Sequence, residues 1–193
     1  MKKFGLIGLA CTLLASRAAI ADPSPWVVGG EAAFLRSVSV SGDVGGNSVG
    51  TASPTVGLDV FIDYQVLASL RVGVAVPALL NVPGPTSNAY DVGVAAHVVL
   101  DLPSSGAVHP FVSAEPGIMF SRLPAGEWWN GHALGLAGGL RMPLSSRLSA
   151  RGAFLVALTS SSGDVNYPGQ FDPLLHGLVK VAFIGVGFGL EVR

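Results

Sequence analysis

Charged side chains recur at alternate positions within otherwise apolar stretches of this chain, and they are the residues that could carry chemistry. Charges of both signs on one face of a sheet can pair, and in a narrow interior the same groups could line a gated pore or a proton path. Because an unpaired buried charge is costly, we predict that Arg71, Arg141 and Arg151 pair with carboxylates and plug the interior. The candidate network consists of Glu31, Asp59, Asp63, Arg71, Asp91, Glu115, Arg141 and Arg151.

The histidines and serines form no recognisable catalytic or metal-binding pattern. His97, His109, His132 and His176 are scattered, without the spacing of metal ligands. The serine clusters fall in turn-like segments, and no G-x-S-x-G motif is present. The nearest catalytic candidate is His109 with Ser113, but the parity of Ser113 points it away from lipid, where a membrane-facing enzyme would need it. We therefore expect no enzyme, no metal site and no cofactor.

A period of two defines the elements that must position the charges. Val92, Val94 and Val98 alternate with Asp91 and His97, for example. This period is typical of a strand with two unlike faces, and no helical periodicity competes with it. We predict eight strands, at about Trp26–Val40, Thr55–Gln65, Ser69–Leu79, Ala89–Leu100, Pro110–Phe120, His132–Met142, Arg147–Thr159 and Leu174–Val192.

The predicted links differ in length according to their place in the chain. Links after odd-numbered strands are long, and two of the three after even-numbered strands are tight, which would put the two kinds at opposite ends of a barrel. The long links are Ser41–Pro54, Leu80–Asn88, Ser121–Gly131 and Ser160–Pro173, the tight ones are Val66–Ala68 and Pro143–Ser146, and Asp101–His109 is intermediate. Loops on a rigid scaffold commonly carry binding, so we expect any specific recognition in the long links. Trp128 and Trp129 fall in one of them.

The first residues have the features of a secretory signal peptide. Lys2 and Lys3 precede a short apolar run, and small residues follow up to Ala21, where we expect cleavage. The remainder, residues 22–193, then forms a single domain without cysteine. The predicted signal peptide holds three of the eleven basic residues and no acid, so the rest has a net charge of −4 with histidine neutral. This balance argues against a nucleic-acid partner.

Composition favours a membrane barrel over a soluble one. Only 12% of the residues are charged and 50% are hydrophobic, whereas a soluble domain has about 25% charged residues. A membrane barrel places its apolar face against lipid and its polar face inside. The alternative is a soluble secreted β-barrel that binds an apolar ligand. In that case Val92, Val94 and Val98 would line the cavity, and Asp91 and His97 would meet water.

The whole alternating region resembles the bacterial outer-membrane β-barrel proteins of the OmpA/OmpX type. The likeness is carried by the alternating strands and by the segment from Gly135 to Gly152, in which one Gly-rich, Arg-bearing strand meets a tight turn and a second Arg-bearing strand follows. The resemblance implies an all-β, eight-stranded, antiparallel, up-and-down transmembrane barrel in the bacterial outer membrane, inserted by the outer-membrane assembly machinery. Family members act in envelope integrity, adhesion or small-solute passage. We accordingly expect a structural or surface-interaction role, with a small gated porin as the alternative.

Aromatic residues near the predicted strand ends fit this expectation. Those of outer parity would form the girdles that anchor a barrel at the depth of the lipid headgroups. The expected partners are outer-membrane lipid and lipopolysaccharide, and the barrel is expected to be a monomer. The residues concerned are Trp26, Tyr64, Tyr90, Phe111, Phe120, Trp128, Trp129 and Phe188.

Overall fold

A computed structural model describes residues 24–44, 47–48, 54–81, 90–122, 128–165 and 175–193. The predicted signal peptide and much of the long links lie outside these residues. The described part contains eight long strands, and the two-residue segment Asn47–Ser48 pairs back onto the end of the first. The strands are β1 (Trp26–Val44), β2 (Pro54–Leu67), β3 (Leu70–Asn81), β4 (Tyr90–Asp101), β5 (His109–Arg122), β6 (Trp128–Pro143), β7 (Leu148–Val165) and β8 (Leu175–Val192).

Each strand pairs antiparallel with the next along the chain, and β8 pairs with β1. The closing ladder runs from Val28 opposite Val192 to Asp43 opposite Leu178, with one register shift between Ser37 and Ser39. The sheet is therefore closed into a barrel, and this removes the unpaired edges of an open sheet. The predicted all-β, eight-stranded, up-and-down barrel is confirmed.

Strand boundaries were predicted well at the end with the tight links and less well at the other end. Strand β6 begins at Trp128, four residues before the predicted start at His132, and β7 continues to Val165 rather than ending at Thr159. The placement of Trp128 and Trp129 in a loop was therefore wrong. These extensions contain Ser and Gly, which indicate a turn in an isolated sequence. In the closed sheet, however, β5 still pairs with the extension of β6, and β8 pairs with the extension of β7.

The two faces of the barrel have opposite polarity. Apolar side chains at alternate positions point outward, and Val94 is 49% exposed. His97, on the other face of the same strand, is completely buried. No helix long and apolar enough to cross a membrane is found among the described residues. The soluble alternative required the reverse arrangement, with Val92 and Val94 inside and His97 in water, and the structure contradicts it.

Glycine allows the wall to accommodate large interior groups in so narrow a barrel. A Cβ atom on Gly29 would collide with the Phe61 ring and lie 2.9 Å from the Leu190 carbonyl oxygen, and one on Gly73 would lie 2.6 Å from Asp63 Cα. Both distances are too short for a real contact, so only glycine fits at these positions. Because glycine has no side chain at these two positions, Phe61 and Asp63 can occupy the interior.

Candidate functional site: the charged layer of the lumen

Ionisable side chains from all eight strands point into the interior of the barrel. Most lie toward the end with the tight links, and the layer built around the three arginines is here called the charged layer. Parity alone explains why they share the interior, since each stands at an inward position of its strand. Strand by strand, they are Glu31 on β1, Asp59 and Asp63 on β2, Arg71 on β3, Asp91, His97 and Asp101 on β4, Glu115 on β5, Arg141 on β6, Arg151 on β7 and Glu191 on β8.

Glu191 is the centre of the charged layer. Its carboxylate lies 2.6 Å from Arg141 Nε, 3.3 Å from Arg71 Nη1 and 3.4 Å from Arg151 Nη1. The Glu191 side chain is only 3% exposed. One carboxylate thus meets guanidinium groups from three different strands, so the layer crosses the lumen rather than following one wall.

Each arginine also has a second carboxylate. Arg71 Nη1 lies 3.5 Å from Asp63 Oδ2, and Arg151 Nε lies 2.8 Å from Glu31 Oε2. Arg141 Nη1 donates a hydrogen bond of 2.5 Å to Asp101 Oδ1. The distribution of carboxylates around each guanidinium offsets the cost of removing these charges from water.

A histidine extends the charged layer toward the middle of the barrel. His97 Nδ1 lies 2.7 Å from Asp63 Oδ1, and His97 Nε2 lies 3.4 Å from Glu115 Oε1. The ring also packs against Phe61, with centroids 4.5 Å apart. The imidazole is therefore held between two carboxylates, and Asp63 connects it to Arg71.

Two phenylalanines fill the space beside the arginines. The Arg151 guanidinium lies 4.6 Å from the Phe111 ring centroid and 5.1 Å from that of Phe61. Arg141 lies 5.3 Å from the Phe111 centroid. Cations over aromatic faces are stabilised in this geometry, and the stabilisation is larger where water is excluded. Phe111 was among the residues considered for a girdle, but it points inward and belongs to this packing.

The structure brings together six of the eight predicted network residues and leaves two at the margin. Glu31, Asp63, Arg71, Glu115, Arg141 and Arg151 are joined directly or through His97 and Glu191. Asp59 points inward, and its buried Oδ1 has no hydrogen-bond partner among the described residues. None of the described ion pairs includes Asp91, which stands ten positions before Asp101 on β4, about 33 Å along the strand.

Sequence reasoning missed the two carboxylates that complete the layer. Glu191 is absent from the predicted network, although it has the inward parity of its strand and contacts all three arginines. Asp101 was assigned to a link because β4 was predicted to end at Leu100. Extending the alternation by one residue would have placed Asp101 on the same face as His97 and Val99.

A cavity of about 80 Å³ lies beside the charged layer, on the side of the long links. Its lining includes the acids Glu31, Asp59 and Glu115 and apolar side chains such as Leu79 and Met119. The interior is thus divided into a charged part, filled by arginine and phenylalanine, and a more apolar part that is not completely filled.

The residues considered for catalysis are not assembled. Ser113 is buried in the lumen, and the exposed His109 lies 3.0 Å from the hydroxyl of Ser104 in the neighbouring link. No group of three or more potential metal ligands is found in the part of the chain that the structure describes.

Aromatic side chains mark both ends of the outer surface. Trp26 packs edge-on against Tyr64, with ring centroids 5.0 Å apart, at the end with the tight links. Tyr90 and Trp128 pack in the same manner at the end with the long links, with centroids 5.8 Å apart. Trp129, by contrast, is 1% exposed and lies in the interior, so it belongs to no girdle.

Comparison with known proteins identifies the architecture. No protein-family model matches this chain, and no curated protein matches it either. Its fold is similar to that of Neisserial surface protein A (NspA), with a TM-score of 0.63, 13% identity and coverage of 88% of this chain and 97% of NspA. It is also similar to the outer membrane protein OprG from Pseudomonas aeruginosa, with a TM-score of 0.52, 13% identity and coverage of 87% and 95%. The fold is thus an eight-stranded barrel of the outer-membrane type.

Proposed function

We propose that this chain is a non-enzymatic barrel of the bacterial outer membrane, with a lumen closed by ion pairs and a structural or surface-interaction role in the cell envelope. The observation that carries the closed lumen is the contact of Glu191 with Arg71, Arg141 and Arg151 across the interior.

The exposed apolar surface supports the membrane location. Alternate outward positions such as Val74, Val94 and Leu136 are each more than 40% exposed, and such a continuous apolar surface is unfavourable in water. Fractionation of expressing cells tests this part of the proposal. We expect the protein in the outer-membrane fraction, extractable only with detergent. Recovery from the soluble periplasm without detergent would overturn it.

Packing supports the closed lumen. An eight-stranded barrel has an interior only just wide enough for side chains, and here Phe61 and Phe111 occupy the space beside the arginines. In planar bilayers we expect no steady conductance from the wild-type protein. The double variant Arg141→Ala with Arg151→Ala removes the two guanidinium groups that lie over the Phe111 ring, so it should conduct and serve as the positive control. Large, steady conductance of the wild type would refute the closed lumen.

A small gated pore is the second candidate, and the cavity beside the charged layer favours it. Because that part of the lumen is already incompletely filled, movement of the charged layer alone would extend the opening. The same recordings distinguish the two functions. Brief openings of the wild type that become longer in the double variant would favour the gated pore, whereas a silent wild type favours the closed barrel.

A further inference from the structure

Three side chains form a cluster on the outer surface at the end with the long links. Tyr90 begins β4, Arg122 ends β5 and Trp128 begins β6, and Arg122 stands between the other two, directly opposite each of them in the sheet. The Arg122 guanidinium lies 5.9 Å from the ring centroids of both Tyr90 and Trp128, and Arg122 Nη1 donates a hydrogen bond of 3.3 Å to the Tyr90 hydroxyl. We call these three residues the rim cluster.

The rim cluster borders the apolar belt. Val92 and Phe120 occupy the next outward positions of β4 and β5 and are exposed apolar residues. Tyrosine and tryptophan at the end of an apolar belt are typical of the headgroup depth of a bilayer. A lipid held against Val92 and Phe120 would therefore bring its headgroup to Arg122.

Charge is distributed unequally between the two faces of the wall. None of the described carboxylate side chains is exposed, whereas three exposed basic residues stand on the outward face of the described strands. These are Arg36, Arg122 and Lys180. Arg36 is opposite Pro54, the first residue of β2, and Lys180 is opposite Ser160 in the part of β7 nearer the long links. The outer surface thus presents positive charge toward one end of the barrel.

We propose that the rim cluster binds a phosphate group of an outer-leaflet glycolipid such as lipopolysaccharide, an inference that rests on the proposed outer-membrane location. Strand β1 begins and strand β8 ends at the end with the tight links, and in barrels of this type that end faces the periplasm. The rim cluster lies at the opposite end and therefore faces the outer leaflet. A guanidinium can bind a phosphate through two N–H groups at once, and the two rings hold its plane. The indole N–H of Trp128 offers a further donor, and Val92 and Phe120 pack against the acyl chains.

Binding of phosphorylated lipid A to the full chain in detergent micelles tests the proposal. Wild-type protein should bind diphosphoryl lipid A more tightly than dephosphorylated lipid A, as measured by native mass spectrometry. Arg122→Gln should weaken binding of the diphosphoryl form about tenfold, the loss expected for a charge-assisted hydrogen bond. Arg36→Gln is the matched control, since it removes one outward arginine elsewhere on the wall, and it should change affinity less than about twofold.

Several outcomes would overturn the inference. Equal affinity for dephosphorylated lipid A would mean that phosphate is not recognised, and equal losses in Arg122→Gln and Arg36→Gln would mean general electrostatic attraction only. The heat-dependent shift in gel mobility of each variant reports whether the barrel has folded. If Arg122→Gln does not fold, Trp128→Leu replaces it, with the same expected direction. Fractionation separates this inference from the proposed function. If the protein is found in the outer membrane but Arg122→Gln binds diphosphoryl lipid A as tightly as the wild type does, only the lipid site is contradicted.

Discussion

Removing the charge of Glu191 is the most direct test of the charged layer. In Glu191→Gln the shape of the side chain is kept, while attraction to Arg71, Arg141 and Arg151 at 2.6–3.4 Å is lost. Two unit charges 4 Å apart attract by roughly 4 kcal/mol at an effective dielectric constant of about 20. Relief of desolvation offsets part of this loss, and removal of one partner from a buried ion pair costs about 3–5 kcal/mol in practice.

The structure indicates the lower end of that range. Each arginine keeps another carboxylate, from Asp63, Asp101 or Glu31, so no guanidinium is left unpaired. We therefore expect Glu191→Gln to lower the free energy of unfolding by about 3 kcal/mol. Equilibrium unfolding in urea, in lipid vesicles and followed by circular dichroism and gel mobility, measures this change.

A matched control separates the charged layer from a general effect of lumen charge. Asp91 is an inward carboxylate outside the described ion pairs, with the Ser121 hydroxyl as a hydrogen-bond partner. Asp91→Asn should therefore cost less than about 1 kcal/mol. The reasoning from the three arginine contacts is wrong if Glu191→Gln lowers the free energy of unfolding by less than about 1 kcal/mol. It is also wrong if Asp91→Asn lowers the free energy of unfolding as much as Glu191→Gln.

Two further predictions test the wall itself. Gly73→Ala should destabilise the barrel by about 1–3 kcal/mol, because its Cβ would collide with the backbone of Asp63, whereas Gly138→Ala should be within about 0.5 kcal/mol, since nothing lies within 4 Å of the added atom. Urea unfolding compares them, and equal losses would contradict the packing described. Val74→Arg, in the outward belt, should cost about 2–4 kcal/mol in a bilayer, and Asn130→Arg, near the end with the long links, about 0–1 kcal/mol. Similar losses at both positions in the same vesicle assay would argue that Val74 does not face lipid.

The sequence alone predicts which face a residue occupies but not its partner across the lumen. Parity correctly places Arg71, Arg141 and Arg151 inside, because the period of a strand is fixed by backbone geometry. The level of a residue along the barrel axis depends instead on strand tilt and on the register of every intervening ladder. Asp91 and Asp101 have the same parity on β4, yet only Asp101 reaches the arginines.

The ends of the strands were the second feature that the sequence alone predicted poorly. The start of β6 at Trp128 depends on pairing with β5, where Trp128 is opposite Arg122. Local sequence gives no signal for such an extension, because Asn130-Gly131 is typical of a turn. The rim cluster was consequently hidden, since Trp128 and Arg122 were both assigned to a link.

The positions of the charges indicate that the layer also selects the register in which the barrel closes. Glu31 lies on β1 and Glu191 on β8, the two strands whose pairing closes the sheet, and both contact Arg151 on β7. A slip of β8 by two residues against β1 would keep every side chain on its own face, so the apolar belt alone would not oppose it. The same slip would move Glu191 about 7 Å along the strand, beyond ion-pair distance of the arginines. Because buried unpaired guanidinium groups are strongly unfavourable, the charged layer penalises this alternative closure.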